Sequence, residues 1–188
     1  TSAIPMVAHA RAKNIAPPVG PSALLSSVLS LRMKPTMATI WRTVFALPTG
    51  AAAMTFASGM AAISNVFLAL PVGAHVVVPQ VMYWGVRKWL LEQHNAGRLA
   101  VDFFDPGPAS NISAKIRPGT TRLVWIETPT NPLLQILDIA AIAEVAHKAG
   151  AKLAVDNTFA SPYLQRPLEL GADVVLHSVT KYLGGHSD

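Results

Sequence analysis

Towards the end of the chain, Ser178-Val179-Thr180-Lys181-Tyr182-Leu183-Gly184-Gly185 follows the apolar run Ala172-Asp173-Val174-Val175-Leu176. A lysine just after a buried strand, flanked by hydroxyls and followed by paired glycines, can be held in place among apolar neighbours. The neutral amine of such a lysine adds to a carbonyl to form a Schiff base. Upstream, Ala154-Val155-Asp156-Asn157-Thr158 puts a carboxylate at the end of another apolar run. An acid there can hold the proton of a heterocyclic nitrogen and make the ring an electron sink. Ser58-Gly59-Met60 stands where a strand gives way to a helix, and the free N–H groups of a helix start bind anions. Each feature has a plainer explanation alone: a surface lysine, an Asp-Asn-Thr turn, a common Ser-Gly junction. Their combination is what points to chemistry.

These residues carry a resemblance. The stretch from Val155 to Asp188 resembles the Cys/Met metabolism family of pyridoxal-phosphate enzymes. That family contains cystathionine gamma-synthases, cystathionine lyases, methionine gamma-lyases and homoserine sulfhydrylases. The likeness extends upstream through Glu127-Thr128-Pro129-Thr130-Asn131-Pro132 and Ser58-Gly59-Met60-Ala61-Ala62, roughly the last three quarters of the chain. It implies pyridoxal 5'-phosphate as cofactor, with Lys181 as the Schiff-base lysine and as general base and acid. Asp156 is then the partner of the pyridine nitrogen, with Thr158 beside the ring. Ser58, Gly59 and Met60 would face the phosphate together with Ser178 and Thr180. Tyr83 would stack on the ring and assist proton transfer, and Asn131 would lie near the ring oxygen, although an Asn before proline is also an ordinary turn residue.

The same resemblance implies gamma-elimination or replacement on sulfur-containing or O-acylated amino acids, in the cytoplasm, by a homo-oligomer of paired dimers. The competing expectation is an inactive remnant of the cofactor domain. Three departures from the family pattern bear on the choice. Trp84 follows Tyr83 where many relatives carry Tyr-Gly-Gly, and is expected to narrow the site. Gly85 stands where methionine gamma-lyases carry cysteine. Aligning on Pro35-Thr36 puts Leu29 and Leu31 where relatives have a Tyr-x-Arg pair for a neighbour's phosphate, with Arg32 one step off. The resemblance also implies a further C-terminal domain that would supply an arginine for the substrate carboxylate. The chain therefore reads as a fragment or a truncated product.

At 188 residues and 51% hydrophobic content, the sequence can bury one sizeable core. It contains no cysteine, which excludes disulfides, thiolate nucleophiles and zinc ribbons. The net charge of +5 does not gather into a basic patch interleaved with aromatics, so nucleic acid is not an expected partner. No histidine pair has metal-ligand spacing, and no metal is expected. All ten acidic residues lie at or after Glu92. The acid-free, Ser/Ala-rich beginning is compatible with an organelle transit peptide or with a divergent N-terminal arm, and the arm is the favoured reading. From residue 42 to 87 no charge separates the two arginines, but Thr55, Ser58, Gly59, Ser64 and Asn65 interrupt the apolar stretch. A strand, turn and helix explain it better than a membrane span.

Elements follow from apolar periodicity. Val/Ile/Leu-rich runs at 53–57, 75–79, 100–104, 122–127, 152–156 and 173–177 read as buried strands, with helices at 60–70, 86–95 and 139–149 between them. Asp138 is the expected N-cap of the last helix and Gly150 its stop. Strands apolar on both faces, alternating with helices, predict an α/β fold: a mostly parallel sheet covered on both sides. With the resemblance, this becomes the large domain of the aspartate-aminotransferase-type fold, in which sites gather at strand carboxyl ends. Residues 1–49 read as a divergent arm, aperiodic up to Pro21 with a possible helix at 36–47, and residues 50–188 as an incomplete cofactor-binding domain.

Overall fold

The computed structural model describes residues 6–10 and 52–185. The strands are β1 (Met6–Ala10), β2 (Ala52–Phe56), β3 (Ala74–Pro79), β4 (Leu99–Phe104), β5 (Thr121–Glu127), β6 (Lys152–Asp156) and β7 (Val174–His177). The helices are α1 (Gly59–Leu68), α2 (Trp84–Asn95), α3 (Ala109–Ser113), α4 (Ile139–Lys148) and α5 (Ser161–Leu164). The strands form one sheet in the order β2-β1-β7-β6-β5-β3-β4. The pairings from β7 across to β4 are parallel, and β1 runs antiparallel to both of its neighbours.

Alternation along the strands explains why they read as continuous apolar runs. Val76, Val78, Trp125, Ala154 and Leu176 face one layer, where they pack with Phe67 of α1 and with Val86 and Leu90 of α2. Val77, Val124, Ile126, Leu153 and Val155 face the other, against Ile139, Ile142 and Ala146 of α4 and Ile112 of α3. Successive side chains of a strand point to opposite faces, so a sheet covered on both sides needs an apolar residue at every position. Phe67 and Trp125, both fully buried, lie 5.1 Å apart between ring centroids and lock α1 to the centre of the sheet.

The helix ends follow the sequence. The Asp138 side chain accepts a hydrogen bond from Ala141 N–H at 3.0 Å and caps α4. Gly150, at φ +79°, takes the left-handed turn after it. Asp173 lies one residue before β7 rather than in it. Its carboxylate accepts from Leu153 N–H, His147 Nε2 and Lys152 Nζ at 2.9, 2.7 and 2.9 Å, tying β6 and α4 to the start of β7.

One segment departs from expectation. Met6–Ala10, within the stretch read as a flexible arm, is a strand placed between β2 and β7. Main-chain pairing on both sides satisfies its backbone groups, a tertiary gain that a five-residue run among Ala and Pro does not announce. The helix expected at 36–47 and the positions Leu29, Leu31 and Arg32 lie outside the described residues. The uncharged stretch after Arg42 resolves, from Ala52 onwards, into β2 and the ten-residue α1. Among the described residues no helix is long and apolar enough to cross a membrane.

Candidate active site

Period two carries the site. Trp125 and Ala154 face the layer of α1 and α2, so Glu127 and Asp156, two residues further along, turn to the same side. They are register partners at the carboxyl ends of β5 and β6. Beside them lies a cavity of about 330 Å³, closed on other sides by the start of α1, the start of α2 and the turn after β7. All ten residues singled out from the sequence line it: Ser58, Gly59, Met60, Tyr83, Asn131, Asp156, Thr158, Ser178, Thr180 and Lys181.

Asp156 is 6% exposed. Its Oδ1 accepts from Thr158 N–H at 3.1 Å and from the Thr158 hydroxyl at 2.6 Å. Thr158 Oγ1 in turn accepts from Ser178 N–H at 2.9 Å, so one hydroxyl joins the ends of β6 and β7. Oδ2 has no partner among the described residues. Burial raises the pKa of this carboxyl above the ordinary range, and the Thr158 donors pull against it. A buried acid with one open oxygen at a cavity suits a cationic N–H. The protonated nitrogen of a pyridine ring is such a group. Behind it, Asn157 Nδ2 donates to Thr128 O at 2.8 Å and to Gln165 Oε1 at 2.6 Å, fixing the loop after β6 against the loop after β5.

Another part of the cavity lining, at the start of α1, suits an anion. Ser58 caps α1, its hydroxyl accepting from Ala61 N–H at 3.1 Å. The N–H groups of Gly59 and Met60, in the first turn, have no intrahelical partner and are the donors a phosphate takes at a helix start. Ser178 and Thr180 add two hydroxyls on the same cavity.

Tyr83 precedes α2 and is 44% exposed. Its ring lies over Gly85, where an added Cβ would come within 2.8 Å of the ring. Glycine there leaves the space the ring occupies. Trp84 does not narrow the site as expected. It is 71% exposed, lines no part of the cavity, and its ring is met by Lys88 Nζ at 5.6 Å. Helical geometry sends adjacent side chains some 100° apart, so Tyr83 and Trp84 cannot share a direction. Lys181 departs from expectation in another way. It is exposed and sits in a turn beyond β7, held by its N–H to Ser178 O at 3.0 Å and by Gly185 N–H to its carbonyl at 2.8 Å. The turn, and not apolar burial, fixes its position.

Four lining residues were not singled out for the site: Ile63, Glu127, Pro129 and Phe159. Ile63, Pro129 and Phe159 supply apolar wall, and Phe159 stacks edge-on with Tyr182 at 5.9 Å. Glu127 is a buried carboxylate, 6% exposed. Its Oε2 accepts from Tyr83 N–H and its Oε1 from Asn131 N–H, both at 2.7 Å. Burial, and then the neighbouring Asp156, push its pKa up to about 8, against the pull of these two donors. Its sequence signal was its parity: it ends an apolar strand on the same face as Asp156.

A mostly parallel α/β sheet with a lysine, a buried aspartate and a helix N-terminus around one cavity at its strand carboxyl ends is an arrangement suited to a ligand that carries a carbonyl, a basic ring nitrogen and an anionic group. The chain belongs to the Cys/Met metabolism PLP-dependent enzyme family, whose model matches residues 27–188. It is 46% identical over 154 residues to a cystathionine gamma-lyase of Bacillus subtilis, covering 82% of this chain and 40% of the relative. It is 49% identical over 163 residues to a cystathionine gamma-synthase of Mycobacterium tuberculosis, again covering 82% and 40%. Among solved structures, that of metB from Corynebacterium glutamicum superposes with a TM-score of 0.72 at 44% identity, covering 82% of this chain and 40% of that one. The chain thus spans about 40% of the length of these relatives. The family is pyridoxal-phosphate dependent, and the open oxygen of Asp156 and the donors at α1 fit that cofactor.

Proposed function

We propose that this chain is the cofactor-binding part of a transsulfuration enzyme that eliminates or replaces the gamma substituent of a sulfur-containing or O-acylated amino acid. The observation that carries the reading is the single cavity shared by Lys181, Asp156 and the start of α1. Pyridoxal phosphate, when bound, supplies an aldehyde for an amine and a ring that withdraws electrons from the substrate. Lys181 is the amine that holds it, and afterwards the group that takes and returns protons at the substrate carbons. Asp156, through Oδ2, keeps a proton on the ring nitrogen. The Gly59 and Met60 amides with Ser178 and Thr180 would hold the phosphate, Thr158 keeps Asp156 aligned, and Asn131 and Tyr83, on the same cavity, would hold the ring, with Tyr83 assisting proton transfer.

Gamma chemistry is preferred over beta because the relatives at 46–49% identity are cystathionine gamma-lyases and gamma-synthases. The reading carries with it an amino-acid substrate, a cytoplasmic setting and assembly as a homo-oligomer. It is tested by loading the protein with pyridoxal phosphate, reducing with borohydride and mapping the modified peptide. Label on Lys181 is expected, and label only on other lysines overturns the assignment. Release of 2-oxobutanoate from cystathionine, or cystathionine formation from an O-acylated homoserine and cysteine, then separates lyase from synthase. Neither product from a loaded protein would favour a remnant without catalysis.

A further inference from the structure

Glu127 has no part in the chemistry just described, yet its surroundings are those of a residue with a task. It is buried at the end of β5, directly opposite a second buried carboxyl, Asp156. No lysine, arginine or histidine pairs with it among the described residues. Both oxygens are instead used on backbone N–H groups, each at 2.7 Å. The two donors belong to separate parts of the rim: Tyr83 precedes α2, and Asn131 lies in the loop that follows β5. Only a carboxylate offers an acceptor at each end of so short a side chain, since the amide of Gln has one acceptor and one donor. Apolar packing would avoid the electrostatic penalty of a buried acid, but it could not fix two amides at once.

We propose that Glu127 is a positioning residue whose carboxylate clamps the Tyr83 and Asn131 segments together, setting the rim that faces the cofactor. The clamp stands on the two hydrogen bonds alone, while its effect on cofactor affinity rests on reading the cavity as the pyridoxal-phosphate site. Without the clamp, the N–H groups of Tyr83 and Asn131 lose their acceptors, and what still ties these parts to the sheet is Val86 packing under α2 and the Asn157 bond to Thr128 O in the loop after β5. Tyr83 and Asn131 would then meet a ligand from a spread of positions, and affinity falls because ordering them is left to the binding step.

The test compares wild type with Glu127→Gln and Glu127→Ala above pH 8, where the Glu127 carboxyl is ionised, by amide hydrogen exchange without cofactor and by titration with pyridoxal phosphate. Glu127→Gln should lose protection at one of the two amides by about tenfold or more, and Glu127→Ala at both, with far-UV circular dichroism unchanged. Both variants should bind pyridoxal phosphate about tenfold more weakly. The other titratable groups on the cavity are Asp156, Tyr83 and Lys181, all retained in the variants. Wild-type affinity should therefore change with pH around 8 in a way that Glu127→Gln abolishes. Unchanged protection at both amides overturns the clamp. Lost protection with unaltered affinity and pH profile overturns the positioning role. If the wild type takes up no cofactor at Lys181, the proposed function fails, and amide protection alone decides the clamp. Should the variants not fold, protection of both amides in the wild type, corrected for intrinsic exchange, should rise as pH passes 8. A flat profile would overturn the proposal.

Discussion

Glu127 and Asp156 are register partners on adjacent parallel strands, both 6% exposed, and no cation among the described residues stands between them. Two carboxyls so placed cannot both ionise without cost, so the pair favours keeping at least one proton.

That proton has a consequence for stability. Glu127 carries a folded-state pKa of about 8 against an ordinary value of 4.5. Between these values the native state holds a proton that the unfolded chain has lost, so its contribution is full below about 4.5 and fades as pH rises through 8. Urea unfolding of the cofactor-free protein should show stability falling by up to about 1.4 kcal/mol per pH unit in this window. A stability that is flat or rises from pH 5 to 8 would contradict the protonated carboxyl.

On the acid side the sign reverses. Burial works against ionised Asp102 and Asp173, but the His75 hydrogen bond with the Arg117 charge, and the Leu153, His147 and Lys152 donors, hold both pKa values below 3.8. Their stabilisation is present above that value and is lost as pH falls through the lowered pKa values. Asp173→Ala should destabilise the fold by about 1–3 kcal/mol at neutral pH, because it leaves the buried Leu153 amide without its acceptor. Thermal unfolding of the variant against wild type measures this.

Asp156→Asn keeps the shape and the Thr158 contact but removes the charge that would face a ring nitrogen. Loss of a charge-assisted hydrogen bond is worth about 1.5–3 kcal/mol, or about ten- to a hundredfold in pyridoxal-phosphate affinity. Spectroscopic titration should show this drop, while borohydride labelling of Lys181 at saturating cofactor persists. Equal affinity in the variant would remove Asp156 from the proposed role.

Gly85→Ala tests the seat of Tyr83. The added methyl would stand 2.8 Å from the ring as it lies, and because that ring is 44% exposed it can swing away instead of breaking the fold. Unfolding should change little, while cofactor binding weakens severalfold and the absorbance of the bound form shifts. A bound-form spectrum identical to wild type would show that the Tyr83 ring does not rest on the cofactor.

The sequence by itself determined the alternation of strands and helices, because strands covered on both faces must be apolar at nearly every position and helix ends need caps such as Asp138 and turns such as Gly150. It also determined which residue types could do chemistry, since Lys181, Asp156 and Ser58-Gly59 stand at strand or helix ends where backbone groups are free. Tertiary structure alone decided what those residues meet. The order β7-β6-β5-β3 sets Glu127 beside Asp156, although 29 residues separate them along the chain, and no local pattern encodes which strands become neighbours. The same holds for β1, whose five residues gain a place in the sheet only from partners 42 and more positions away. Exposure of Trp84 and the turn that holds Lys181 are likewise set by helix direction and backbone hydrogen bonds in the folded chain, which residue identity does not specify.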